Sequence, residues 1–187
     1  KKIVVQGEIE IDEMITLGKS VEFQAHPAYQ GVSGFVANGP PGNVWVFQGG
    51  KNVSFHGLSF RNGFNQPNVF FAGNVRDLKF VDCEFTDFSV EKTAFAIVNA
   101  TERILFQRCS FSDLTLFENS YMLYLEGPSL FSRCKFTNIH GGYFMTVKTN
   151  KDIIFENNVV EWLMGNYFML LYPSGNKNFI SITDSGF

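Results

Sequence analysis

One phrase is written three times in this chain: FVDCEFTDF from Phe80, FQRCSFSDL from Phe106 and FSRCKFTNI from Phe131, each with a cysteine between two phenylalanines. Repetition at a fixed period marks architectures in which one unit cannot bury its own apolar face and stacks on the next to do so. KNVSFHGLSFRNG from Lys51 fits in front of the series, KDIIFENNVVEWL from Lys151 fits behind it, and a weaker copy, KNFISITDSGF, closes the chain from Lys177. The anchoring aromatic falls at Phe55, Phe80, Phe106, Phe131 and Phe155, at intervals of 25, 26, 25 and 24 residues. An upstream apolar segment keeps the same period, as NVWVF at Asn43 and NVFFA at Asn68, and later as TAFAIV, YMLYL, YFMTV and YFMLL.

Parity within each unit shows where the chain bends. Leu78 and Phe80 share one parity, Cys83 and Phe85 the other. A strand keeps its parity because side chains alternate faces, so a corner is expected near Val81 and Asp82 and a second near Thr86 and Asp87. Three short strands and three corners fill about 25 residues, too few for a crossover helix of a dozen or more. The expected fold is all-β: a right-handed single-stranded parallel β-helix of about seven coils of roughly 25 residues, the coils about 4.8 Å apart. A β-sandwich needs no such register, and a leucine-rich repeat would place leucines and an asparagine where this chain has none. Stacking then puts Cys83, Cys109 and Cys134 in one interior column and Phe85, Phe111 and Phe136 in another. Asn62, Asp87, Asp113 and Asn138 share a corner, where amides can bond up and down the stack. Residues 43–187 carry the regular coils as one continuous domain. Residues 1–42 fit the register poorly and are expected to form the first coil or coils, or a cap.

Composition agrees. Apolar residues make up 45% of the 187 positions, which excludes a disordered chain, and 22 phenylalanines favour strands over helices. A formal charge of −3 with no basic run argues against nucleic acid. The apolar runs are too short to cross a bilayer. The opening KKIVV has no h-region or cleavage site, as expected of a mature chain or of a piece of a longer one.

The stretch VSFHGLSFRNG resembles the strand–corner–strand segments of the pectin-lyase-like β-helix superfamily. CEFTDF, CSFSDL, CKFTNI and IIFENN are similar to the F-x-x-N half of polymorphic outer-membrane-protein repeats, which belong to surface adhesins. The accompanying G-G-A-I half is largely missing, HGGYFM at His140 being the nearest approach. The resemblance covers residues 43–187 and implies the fold; the superfamily includes lyases, hydrolases, esterases and adhesins.

Its enzymes offer a test. The N-T-D, D-D, G-H-G and R-I-K motifs of polygalacturonase-like hydrolases are absent, as is the pectin methylesterase pattern. The candidate catalytic set is Asp82, Glu84, Arg108 and Arg133, with Lys135 beside them on the outer face. Calcium takes six to eight oxygen ligands, and two acids fall short, so the favoured reading is a solvated surface whose opposite charges pair between coils for about 0–1 kcal/mol each. His26, His56 and His140 lack metal-ligand spacing, and no C-x-x-C or second ligand pair supports zinc. The cysteines read as small apolar fillers. At coil spacing two neighbours approach bridging distance, and the odd count leaves one free. Tyr121, Tyr124, Tyr143, Tyr167, Tyr172 and Trp162 offer stacking surfaces for sugar rings if they face outward. No threonine ladder suits ice. Sequons at Asn52 (NVS) and Asn99 (NAT) are glycosylation candidates.

The expected function is that of a non-enzymatic structural or adhesive β-helix segment of a secreted or cell-surface protein. The alternative is a pectate-lyase-like, polysaccharide-active enzyme with its site on the outer face. Expected partners are a polysaccharide or glycan, or other chains joined end to end through the unpaired coil edges. No cofactor, metal, nucleic acid or membrane span is expected.

Overall fold

The computed structural model describes residues 1–38, 43–48, 51–100, 102–149, 151–164, 167–171 and 180–183. The chain begins with β1 (Lys2–Val5), β2 (Glu8–Ile11), β3 (Ile15–Leu17), β4 (Val21–Ala25), β5 (Gly34–Ala37), β6 (Asn43–Gln48), β7 (Lys51–His56), β8 (Ser59–Gly73), β9 (Arg76–Val81) and β10 (Glu84–Val98). It continues with β11 (Ile104–Gln107), β12 (Ser110–Leu116), β13 (Tyr121–Leu125), β14 (Ser129–Ser132), β15 (Lys135–His140), β16 (Tyr143–Val147), β17 (Ile153–Glu156), β18 (Val159–Met164), β19 (Tyr167–Leu171) and β20 (Ile180–Thr183). Every described element is a strand, so no described helix is long and apolar enough to cross a membrane.

All pairings are parallel and each joins one turn of the chain to the next, which makes the molecule a parallel β-solenoid. One sheet has eight strands in the order β1-β4-β7-β9-β11-β14-β17-β20, and a bent twelve-stranded sheet forms the remaining walls. The register follows the repeats: Phe55 pairs with Phe80, Phe80 with Phe106, Phe106 with Phe131, and Phe131 with Phe155. In the closing unit Ile182 takes the aromatic's place opposite Phe155. The N-terminal strands join the same stack, β1 on β4, β2 on β5 and β3 on β6, with Phe23 opposite Phe55.

The bends fall where parity switches, and their chemistry explains the residue types. Gly57, Asp82, Arg108, Arg133 and Asn157 occupy the first corner with φ between 52° and 64°, and Asp87, Asp113 and Asn138 the second with φ between 54° and 59°. Glycine, asparagine and aspartate enter this left-handed region at least cost. Arginine does so only where its surroundings hold it.

Phenylalanine ladders fill the interior. Phe23, Phe55, Phe80, Phe106, Phe131 and Phe155 stack with ring centroids 4.5–5.1 Å apart and planes within 19°. Phe35, Phe60, Phe85, Phe111 and Phe136 form a second ladder at 4.7–5.6 Å, and Trp45, Phe70 and Phe95 a third at 4.9–6.2 Å. Rings of different ladders meet edge to face, as Phe85 meets Phe95 at 5.0 Å and 89°. Offset-stacked and edge-to-face pairs are the two arrangements the ring quadrupole favours, each worth about 0.5–1.5 kcal/mol beyond the area buried.

Candidate functional site

The charged candidates gather on the outside of the first corner. Asp82, Arg108, Arg133 and Asn157 follow one another there on successive turns, as Asp82 N–H donates to Gln107 C=O, Arg108 N–H to Ser132 C=O and Arg133 N–H to Glu156 C=O. Arg108 reaches down to Asp82 with both arms of its guanidinium, Nε to Oδ1 at 2.6 Å and Nη2 to Oδ2 at 2.7 Å. That hydrogen-bonded guanidinium holds the Asp82 carboxyl below the usual carboxylate range; partial burial opposes this, and the charges of Arg108 and His56 add to it. Arg108 is correspondingly raised by Asp82. Glu84 is exposed, and Ser110 stands above it in register, with Lys135 one turn further on. The structure therefore joins Asp82 to Arg108 but leaves Glu84, Arg133 and Lys135 outside any ion pair among the described residues.

The same corner borders a groove that the repeat pattern did not foretell. Between β4 and β5 the chain inserts HPAYQGVS, residues 26–33, where the later turns have two residues. Tyr29 N–H donates to His26 C=O at 3.1 Å, and the His26 ring accepts from Ala28 N–H at 3.3 Å. Gly34 is required because a Cβ there would lie 2.0 Å from Ser59 O, and a Cβ at Gly31 would push on the exposed Tyr29 ring. The loop walls a depression of about 300 Å³ whose floor is Gly57, Leu58 and Ser59 and whose far rim is Asp82 and Glu84. A second depression of about 360 Å³ shares Ala25, Gly57 and Asp82 and adds Glu22, Gln24 and His56. Tyr29 and Val32 are exposed on the loop. Pro27 and Gly31 between two apolar segments are the turn signals that could have revealed it.

The other candidates lie apart. His140 Nε2 is 3.0 Å from Asn138 Oδ1, and Asn138 Nδ2 donates to Asp113. Among the described residues no three histidine, cysteine or acidic side chains converge as a metal site. Tyr121 stacks on Tyr143 at 5.2 Å and lies 6.2 Å from Tyr124, a half-buried cluster on a different wall. Asn52 and Asn99 are exposed at left-handed positions. The side chains of Asn62, Trp162 and Tyr167, and all of Tyr172, lie outside the described residues. No model of a known protein family matches the sequence, and no curated protein does.

Proposed function

We propose that the chain is a non-enzymatic structural or adhesive segment of a secreted or surface-displayed protein, built on the right-handed β-helix of the pectin-lyase-like superfamily. The observation that carries the reading is the bidentate pairing of Asp82 with Arg108. An acid held this way has its proton affinity lowered, the reverse of what a general acid or base near neutrality needs. An arginine serving as base needs a neutral guanidine, and Asp82 stabilises the charged form.

The phenylalanine ladders support the structural part. They make a stiff rod, about 34 Å from the first to the last strand of the eight-stranded sheet at the usual spacing. The groove beside residues 26–33 supports the adhesive part, since an exposed tyrosine beside two carboxylates, an imidazole and two serines suits a polyhydroxylated ligand such as a glycan. The test is incubation with acidic and neutral polysaccharides, with and without calcium, followed both for binding by saturation-transfer NMR and for new chain ends. Binding without turnover, weakened by Tyr29→Ala, is expected. Turnover abolished by Arg108→Ala would make the chain an enzyme and overturn the reading.

A further inference from the structure

Cys83, Cys109 and Cys134 occupy consecutive levels of one file. Glu84 N–H donates to Leu58 C=O, Ser110 N–H to Cys83 C=O, Lys135 N–H to Cys109 C=O and Val159 N–H to Cys134 C=O, all at 2.9–3.0 Å. The file therefore runs Leu58, Cys83, Cys109, Cys134, Asn158. Each thiol rests on the carbonyl of the anchoring phenylalanine one level down, in the same pose: Cys83 on Phe55 at 3.5 Å, Cys109 on Phe80 at 3.4 Å and Cys134 on Phe106 at 3.4 Å. Equal poses translate the sulfurs by about one inter-strand spacing, about 4.8 Å. All three thiols are free and buried.

That spacing decides what can join them. A disulfide needs Cβ atoms about 3.5–4.5 Å apart, and parallel Cα–Cβ bonds one level apart leave them at about 4.8 Å. Two metal–thiolate bonds of about 2.3 Å in line span about 4.6 Å, close to the spacing as it stands. No three histidine, cysteine or acidic side chains converge among the described residues, so the file offers two thiolates at a time where tetrahedral zinc takes three or four protein ligands. A monovalent soft ion in linear two-coordination asks only for two thiolates.

Charge selects the pair. A soft M⁺ between two thiolates leaves one negative charge in an apolar interior, which is costly unless compensated. Cys83 is flanked in sequence by Asp82 and Glu84. Cys109 and Cys134 are flanked by Arg108, Arg133 and Lys135. Arg108 is engaged by Asp82, whereas Arg133 and Lys135 enter no ion pair among the described residues. Asn158 fixes the upper level, its Oδ1 accepting from Cys134 N–H at 2.7 Å and its Nδ2 donating to Phe131 C=O at 2.9 Å.

We propose that Cys109 and Cys134 form a two-coordinate site for a monovalent soft metal ion, Cu(I) being the biological case. One M⁺ enters, two S–H bonds break, two M–S bonds form and two protons leave to solvent, with no change of oxidation state. Arg133 and Lys135, exposed on the outer face on either side of Cys134, lend this pair a positive field where Asp82 and Glu84 give Cys83 a negative one. Proton release makes binding tighten as pH rises.

The test is anaerobic titration of the reduced full chain with Cu(I) held by a chromogenic chelator. One ion per chain is expected, tighter at pH 8 than at pH 6. Cys83→Ala should leave the affinity unchanged; Cys109→Ala, which leaves no adjacent pair of thiols, should weaken it on the order of 100-fold or more, and Cys134→Ala, which leaves only the Cys83–Cys109 pair beside Asp82 and Glu84, should weaken it by less. X-ray absorption of the wild-type complex, which needs no variant to fold, should show two sulfur neighbours. Failure to take the ion from the chelator, equal loss in Cys83→Ala, retention in Cys109→Ala, or a three-sulfur shell would each overturn the assignment.

Discussion

Phe106→Ala removes one rung from the middle of the longest ladder. The ring is fully buried, between Phe80 at 5.0 Å and Phe131 at 4.8 Å, with Phe95 edge-on at 5.7 Å. Truncating a buried phenylalanine costs about 3–5 kcal/mol in lost transfer energy and residual cavity. The upper end is expected here, because backbone hydrogen bonds at inter-strand spacing prevent the levels above and below from closing on the void. Stabilities of ordinary domains run about 5–15 kcal/mol, so the variant should fold with much of its margin gone. With a urea m-value of about 2–3 kcal/mol/M, the midpoint should fall by about 1.7–2.5 M. Phe117→Ala is the control: that ring is 44% exposed, and its removal should change stability by no more than about 0.5 kcal/mol. Phe23→Ala should fall between them, since Phe23 has a stacking partner on one side only among the described rings. Equal midpoint losses in Phe106→Ala and Phe117→Ala would refute the reasoning, because burial within the ladder would then confer no advantage.

Other positions give independent checks. Asp82 has its folded carboxyl below the ordinary value of 3.8, so the stability its pairing supplies is fully present above that value and fades as pH falls through the folded one; Arg108→Ala should flatten the fall in melting temperature between pH 5 and pH 3. Gly34→Ala drives a Cβ against the Ser59 carbonyl and should cost about 1–3 kcal/mol or more. Gly57→Ala, at φ +64° with ordinary contacts, should cost roughly 1–2 kcal/mol, the order of the two being read from thermal melts. Asn158→Ala orphans a buried N–H at Cys134 and removes a side-chain donor from the Phe131 carbonyl, at about 1–3 kcal/mol for the N–H left unpaired, measurable by urea denaturation.

The solenoid was legible because stacking imposes one chemistry on each column. The switch of parity between Phe80 and Cys83 located the first corner, and the corner residues' left-handed φ values explain why aspartate and asparagine gather there. The cysteine file and two phenylalanine ladders followed from the 25-residue interval. The start of the stack was not legible. Phe23 and Phe55 are paired rungs but lie 32 residues apart, because residues 26–33 are inserted between β4 and β5. The insertion moves Phe23 out of phase while leaving its place in the ladder intact. The site was legible only in part for a related reason. Stacking put Arg108 over Asp82, but a groove depends on a loop that obeys no column. Lys135 was expected beside Glu84, and Ser110 separates them because outward positions carry no packing constraint to keep like over like.

The most direct test of the stacked-column account is the set of ring-to-ring contacts in protein labelled at chosen phenylalanines, read as aromatic NOEs. Phe80 should show cross-peaks to Phe106, and Phe106 to Phe131, matching centroid distances of 5.0 Å and 4.8 Å, while Phe80 and Phe131, two levels apart, show none. A direct Phe80–Phe131 contact, or no contact between either adjacent pair, would contradict it.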